Sequence, residues 1–294
     1  MSICNPPSNA LFRVIHAGTM TALQDEGRMG LKAYGIPRGG AMDLVALERV
    51  NRLFDQDPNT AAWEMLWGGV ELECINDCWI AYSGDSQGWL DGKAVDAERT
   101  VRVHRGETLR FMPQGKSLWT YLATPNGWYG PQWFSSQSVW PDGGMGKCMA
   151  NGDFLYSSSQ SEWSPITGVA ARMLRPRLRH ESSPFRISIG PQWDAFPDSS
   201  QQKFLHSEWH ISPQSNRAGF RLQGPILQVP AQEIISEPTI VGSIQVPANG
   251  QPIVLLNDGP TIGGYSKIAL IHTDDLDRFR QLPPGRAVQF SLSS

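Results

Sequence analysis

The chain has 294 residues, room for one large domain or two of ordinary size, with 25 basic and 28 acidic side chains and a formal charge of −3. That balance supplies no basic footprint for nucleic acid, and no apolar run approaches the roughly 20 residues of a membrane span. The opening stretch, MSICNPPSNA, carries no basic residue and no apolar core, so it does not read as a signal peptide and the chain is expected to stay in the cytoplasm.

Eleven Trp, 29 Gly and 22 Pro break the chain into short pieces, which suits short strands and tight turns better than helical layers. Phe12 and Ile15 mark a first β-type run, and a polar stretch over 21–28 follows it. The best helix spans 43–54: Asp43 can cap its first turn, and Leu44, Leu47, Val50 and Phe54 recur at helical spacing. Val70, Leu72 and Cys74 alternate with acidic residues, a strand with one wet face. Val101 and Val103, then Leu109 and Phe111, flank Arg105-Gly106-Glu107 and predict a hairpin. A run over 117–123 contains Trp119 and Tyr121, and 124–153 is loop-like.

The Ser/Gln tract at 157–161, the four arginines of 172–179 and Ser182-Ser183-Pro184 predict a linker, its charges facing water. This places a boundary between 1–180 and 181–294. In the second part Ile187 and Ile189, then Trp209 and Ile211, alternate, and 253–256 and 268–271 are apolar strands. A second helix is expected over 273–281, capped by Thr273 and stopped by Pro283-Pro284, before a closing strand at 288–292.

Cys74 and Cys78 are separated by three residues, and no further pair completes a zinc or redox set, so Cys4, Cys74, Cys78 and Cys148 are expected as free thiols. His206 and His210 would share a strand face, too few ligands for a metal site. The sequence holds no phosphate-binding loop, no HExxH and no nucleophile elbow.

Three polar, Gly-rich motifs remain. The first joins Gln24, Asp25, Arg28 and Gly30; Asp25 and Arg28 are close enough to pair, either as a locked turn or as ligand contacts. The second is the turn Ser215-Asn216-Arg217-Ala218-Gly219. The third runs through Gln245, Asp258, Thr261, Gly263, Gly264, Tyr265 and Lys267, polar groups in loops beside apolar strands, as a small polar ligand requires.

In order and spacing these motifs, with Gly190-Pro191-Gln192, Asp194 and Phe196, resemble the biotin-dependent carboxyltransferase family, also called allophanate hydrolase subunit 2, which includes the C subunit of bacterial ATP-dependent 5-oxoprolinases. The likeness runs from Val14 to Phe290. It implies a mainly β fold of two tandem cyclophilin-like β-barrel domains. It also implies work in a complex with a subunit-B-like, kinase-inhibitor-like protein and a lactam-hydrolase-like subunit. The reaction implied is ATP-coupled opening of a small amide, 5-oxoproline to L-glutamate, with ATP used by the complex and no covalently bound cofactor. Two alternatives stand beside it: a carboxyltransferase subunit acting on urea or another amide with carboxybiotin from a partner, and a non-catalytic regulator that binds a kinase-inhibitor-like protein. On this resemblance Gln245, Asp258 and Lys267 are the expected catalytic group. Gln24, Asp25, Arg28, Asn216, Arg217, Thr261, Gly263, Gly264 and Tyr265 are expected to bind substrate, with no metal. Five of them (Gln245, Asp258, Thr261, Tyr265 and Lys267) are expected in one pocket with the 24–28 turn at its rim.

The chain departs from the family pattern where Gly-Ser-Arg-Ser-Thr is usual. It reads Ser135-Ser136-Gln137-Ser138-Val139, and Gln137 cannot replace the charge or the forked donors of arginine. Lys147, Asn216 and Asp85 also stand where the family usually has Arg, Asp and Ala.

Overall fold

The computed structural model describes residues 9–159, 163–164, 171–174, 184–230 and 234–293. Cys4, His180, Ser182, Ser183 and much of the expected linker, with its boundary at 180/181, lie outside the described residues. The chain divides into two compact units, one of Met1–Arg28 with Gly39–Arg177, the other of Met29–Arg38 with Leu178–Ser294. The short 29–38 segment thus belongs with the second unit although its neighbours in sequence belong to the first. The mainly β architecture expected from the sequence is present in both.

The first unit begins with β1 (Ala10–Ala17), β2 (Met20–Gln24), helix α1 (Leu44–Arg52), β3 (Ala62–Leu66) and β4 (Val70–Cys74). It continues with β5 (Cys78–Gly84), β6 (Gln87–Leu90), β7 (Lys93–Val95) and β8 (Thr100–Val103). Last come β9 (Thr108–Met112), β10 (Trp119–Ala123) and β11 (Phe154–Tyr156). Two sheets result, ordered β11-β1-β4-β9-β6-β7 and β2-β3-β10-β5-β8. Alternation on β4 and β9 turns Leu72, Leu109 and Phe111 inward, where they share one core with Met65, Ile80, Tyr82 and Leu122 of the other sheet. Strand β10 is buried along its whole length because α1 covers its other side. Asp43 caps α1 as the sequence suggests, its carboxylate accepting from Ala46 N at 2.9 Å.

The hairpin expected around Arg105-Gly106 does not form. Strand β8 pairs with β5, whereas β9 pairs with β4 and β6, so this turn carries the chain from one sheet to the other, with Gly106 at φ 89°. The two alternating runs belong to different sheets and so cannot pair with each other. The link from β4 to β5 makes the same crossing, and Asp77 within it staples both: Oδ1 accepts from Arg105 N at 2.8 Å, and Oδ2 meets His104 Nδ1 at 3.0 Å. The Arg105 backbone bond, then His104, lower the Asp77 carboxyl to about 2. A depressed carboxyl stabilises the fold above its unfolded value, near 3.8, and that contribution is lost as pH falls toward 2. A carbon-detected NMR titration is expected to find Asp77 still ionised at pH 3; a midpoint near 4 would contradict the staple.

The second unit contains β12 (Phe185–Ile189), helix α2 (Asp198–His206), β13 (Trp209–Ile211), β14 (Gly219–Gln223) and β15 (Glu237–Pro238). It continues with β16 (Ser243–Val246), β17 (Ile253–Leu255), β18 (Ile262–Gly263) and β19 (Ser266–Ile271). Helix α3 (Thr273–Arg280), β20 (Ala287–Val288) and β21 (Phe290–Leu292) complete it. Eight strands form one sheet, ordered β20-β13-β14-β17-β16-β19-β12-β21. Its two outer strands are separated in sequence by Gln289 alone, so the sheet curls round on itself as a barrel. Phe185, Phe204, Phe220, Phe279 and Phe290 fill it, with Phe204 and Phe290 stacked at 5.0 Å.

Two features of this unit differ from the sequence expectation. His206 ends α2 and faces Gln202, while His210 lies on β13 beside Glu208, so they do not share a strand face. Among the described residues no group of three or more His, Cys, Asp or Glu could hold a metal. His272, not Thr273, takes the cap position of α3, and no side chain caps it. Asp275 in the first turn of α3 instead binds Arg186, through Nε at 3.1 Å. No helix among the described residues is long and apolar enough to cross a membrane.

Candidate functional site

In the first unit the 24–28 motif is built around one buried carboxylate. Asp25 Oδ1 accepts from Gly27 N at 2.8 Å, Ser136 Oγ at 2.7 Å and Ser138 Oγ at 2.5 Å, and Oδ2 accepts from Gln137 N at 2.6 Å. These four donors replace the Asp25–Arg28 pair expected from the sequence. Both oxygens are filled from the 136–138 loop, and Arg28, itself buried, donates through Nη2 to the Ser138 carbonyl. Phe134 and Ser135 hold φ of 54° and 64° directly before this loop, a left-handed pair that side chains rarely adopt unless the surroundings hold it. Gln24 Nε2 donates to the Val139 carbonyl at 3.0 Å, while its buried Oε1 meets no donor among the described residues. Gln137 explains its own departure from the family pattern: Nε2 donates to Trp128 O at 3.2 Å and Gly130 O at 3.1 Å, so this side chain clasps the loop. Asp85 is explained likewise, since Oδ2 accepts from Lys116 N and Ser117 N, both at 2.9 Å.

The second unit divides the expected residues between two groups. Arg217 and Asp258 pair with each other, Nε to Oδ2 at 2.7 Å and Nη2 to Oδ1 at 3.2 Å, with about a tenth of either side chain exposed. Asn216 Oδ1 accepts from Ala218 N at 2.9 Å and shapes the turn that delivers Arg217. Asp258 N to Arg217 O and Leu256 N to Ala218 O join that turn to the 256–259 turn.

Lys267 centres the other group. It lies opposite Gln245 across β16 and β19, and its side chain is buried. Nζ meets Glu237 Oε1 at 2.6 Å and the Pro238 carbonyl at 3.3 Å. Gln192 bridges the pair, accepting from Lys267 N at 3.0 Å and donating to Glu237 Oε1 at 3.0 Å. The hydrogen bond from Lys267, more than that from Gln192, lowers the Glu237 pKa. Gln245 is almost wholly buried, and its Nε2 has no acceptor among the described residues. Gly263 is glycine for a reason of space: a Cβ there would come within 2.8 Å of that Nε2. Gly264 lies beside Ile234 O and Ser236 Oγ, and Tyr265 is half exposed. Thr261 contributes its carbonyl, which accepts from Thr239 N at 3.1 Å; Thr239 O in turn accepts from Lys32 Nζ at 3.1 Å.

An open cleft of about 510 Å³ adjoins this group, lined by the polar Gln192, Ser236, Glu237 and Ser266 and the apolar Ala195, Pro230, Ile234 and Ile235. Sequence reasoning assigned no role to Glu237 or Gln192, although Gln192 stands in the Gly190-Pro191-Gln192 motif. Glu237 lies 30 residues from Lys267 in an ordinary Ser-Glu-Pro stretch, and no local signal joins the two.

A mainly β chain with these Gly-rich turns is a member of the carboxyltransferase domain, subdomain A and B, family, which residues 34–292 match. The 5-oxoprolinase C subunit of Escherichia coli (strain K12) is 35% identical over 287 residues, covering 95% of this chain and 90% of the relative. That of Haemophilus influenzae is 32% identical over 97% of this chain and 92% of its own length. The urea amidolyase of Saccharomyces cerevisiae is 27% identical over 93% of this chain, which spans 16% of that longer protein. Among solved structures, TTHA0988 superposes with a TM-score of 0.88 at 29% identity, and the chain spans 56% of it. The Kluyveromyces lactis urea carboxylase shares the fold at 24% identity, with a TM-score of 0.87 over 28% of its chain.

Proposed function

We propose that this chain is a subunit of an ATP-dependent 5-oxoprolinase, which opens 5-oxoproline to L-glutamate together with a kinase-inhibitor-like subunit and a lactam-hydrolase-like subunit. The observation that carries this reading is the group around Lys267, a buried ammonium beside an amide N–H without an acceptor, in a chain alike along nearly its whole length to two 5-oxoprolinase C subunits. A substrate carboxylate meets Lys267, and the lactam carbonyl takes the spare Gln245 Nε2–H, a donor already in place as charge builds on that oxygen. Asp258, Arg217 and Asn216 hold the neighbouring turns rather than touch substrate, and Asp25, Arg28 and Gln24 do the same in the first unit. ATP chemistry falls to a partner, because the sequence carries no phosphate-binding loop.

The test is ATP-dependent glutamate release from 5-oxoproline by the purified subunits, with and without this chain. Release is expected only from the full set, and turnover by the isolated chain above about one per second would contradict a shared site. Lys267→Ala should reduce activity of the complex about tenfold to a hundredfold, the worth of one charge-assisted hydrogen bond. Its melting point should move little, since the Glu237 left behind is more than a third exposed and can be solvated. Full activity in Lys267→Ala would instead make this surface a docking face for the partner subunit, as the non-catalytic alternative requires. Carboxylation of urea in place of glutamate release would favour the carboxyltransferase alternative, which the likeness to urea amidolyase supports.

A further inference from the structure

Lys267 and Glu237 form an unequal pair. The lysine stands on β19 inside the barrel sheet, with neighbours on β16 and β12, and only 8% of its side chain is exposed. Its partner stands on β15, a two-residue strand bonded to the two-residue β18, and 36% of the glutamate side chain reaches solvent. A buried ammonium cannot stay unpaired without a large desolvation penalty, whereas an exposed carboxylate can turn to water at little loss. One donor on the strand beside Lys267 goes unused among the described residues. Gln192 Nε2 already reaches the same Oε1, and Gln245 Nε2 has no acceptor. Glu237 and Gln192 both line the adjoining cleft.

We propose that Glu237 is an internal stand-in for a ligand carboxylate, and that the ligand binds at Lys267 by exchanging with it. This rests on the placement of substrate at Lys267 made above and adds how the site is held when no substrate is bound. The ligand class is a small monocarboxylate with a compact apolar body, its charge on Lys267 and Gln192 and its body against Ala195, Pro230 and Ile234. Exchange keeps the buried cation neutralised throughout, and it makes the site selective, because only a carboxylate that outcompetes a tethered one gains entry. If Glu237 occupies Lys267 for nine-tenths of the time or more, the apparent affinity for a free carboxylate is about tenfold or more below the intrinsic one.

The experiment measures binding of 5-oxoproline and of cyclopentanecarboxylate, which lacks the amide, by calorimetry on the full chain. Glu237→Gln should bind both about tenfold more tightly than wild type, and each ligand should raise its melting point by more. Glu237→Asp, which keeps the charge on a shorter arm, should fall between and covers the case in which Glu237→Gln folds poorly. The double variant Glu237→Gln with Lys267→Met should respond to neither ligand. Unchanged or weaker binding of both carboxylates in Glu237→Gln and Glu237→Asp would overturn the exchange and leave the pair structural. The two readings fail separately: tighter carboxylate binding in the variants sustains the exchange even if the assembled subunits release no glutamate.

Discussion

Arg217→Ala is expected to lower the unfolding free energy by about 3–5 kcal/mol, because it leaves the largely buried Asp258 carboxylate of the 256–259 turn without its partner. The two bonds of this pair also join the 215–222 turn to the 256–259 turn, so its loss loosens both at once. Because the chain has two units, the shift should be confined to the second, and hydrogen exchange at Phe220 and Leu222 of β14 would locate it there. Replacing both partners with apolar residues, as in Arg217→Met with Asp258→Leu, should recover most of the loss, since no buried charge then remains unpaired. A single substitution with little effect would show that water reaches Asp258 and that the pair does not hold the turns.

Asp25→Ala should be comparably damaging in the first unit, at about 3 kcal/mol or more, because four donors lose one acceptor together. Asp25→Asn preserves shape but turns an amide NH2 toward donors, so it should recover only part of the loss. The 128–138 loop should become the first site of proteolysis in either variant, as the left-handed backbone at Phe134 and Ser135 is held by the clamp that Asp25 organises. An unchanged digestion pattern would mean that Gln137, through Trp128 O and Gly130 O, suffices to hold the loop.

Features written in adjacent residues were legible in the sequence. Asp43 before Leu44, Leu47 and Val50 predicted α1 and its cap, and the alternation of Val70, Leu72 and Cys74 predicted β4. Helix α2 is not legible in its sequence, DSSQQKFLH, which buries only Ser200 and Phe204 and shows almost no apolar period. The separation of β8 from β9 is not legible either, because alternation fixes which face is buried but not which sheet receives the strand. The polar motifs were found by type and spacing, yet the partners within them were not. Asp25 was matched with Arg28 three residues away, when its acceptor capacity is taken largely by a loop more than a hundred residues on. Lys267 was expected to await a ligand, when it already holds Glu237.

The membership of residues 29–38 in the second unit has a consequence for the order in which the protein can be completed on the ribosome. Lys32 donates to the carbonyl of Thr239, 207 residues later. At ordinary elongation rates of about 5–20 residues per second, that segment waits on the order of 10–40 s for its partner after it has been made. Residues on both sides of it can meanwhile take their places in the first unit. A nascent chain therefore carries Lys32, Ala33 and Tyr34 as an unsatisfied excursion for most of its synthesis, and a fragment starting near residue 178 would lack a piece of its own fold. Dissecting this protein into halves for separate expression calls for restoring that segment to the second half, supplied as a peptide or grafted on.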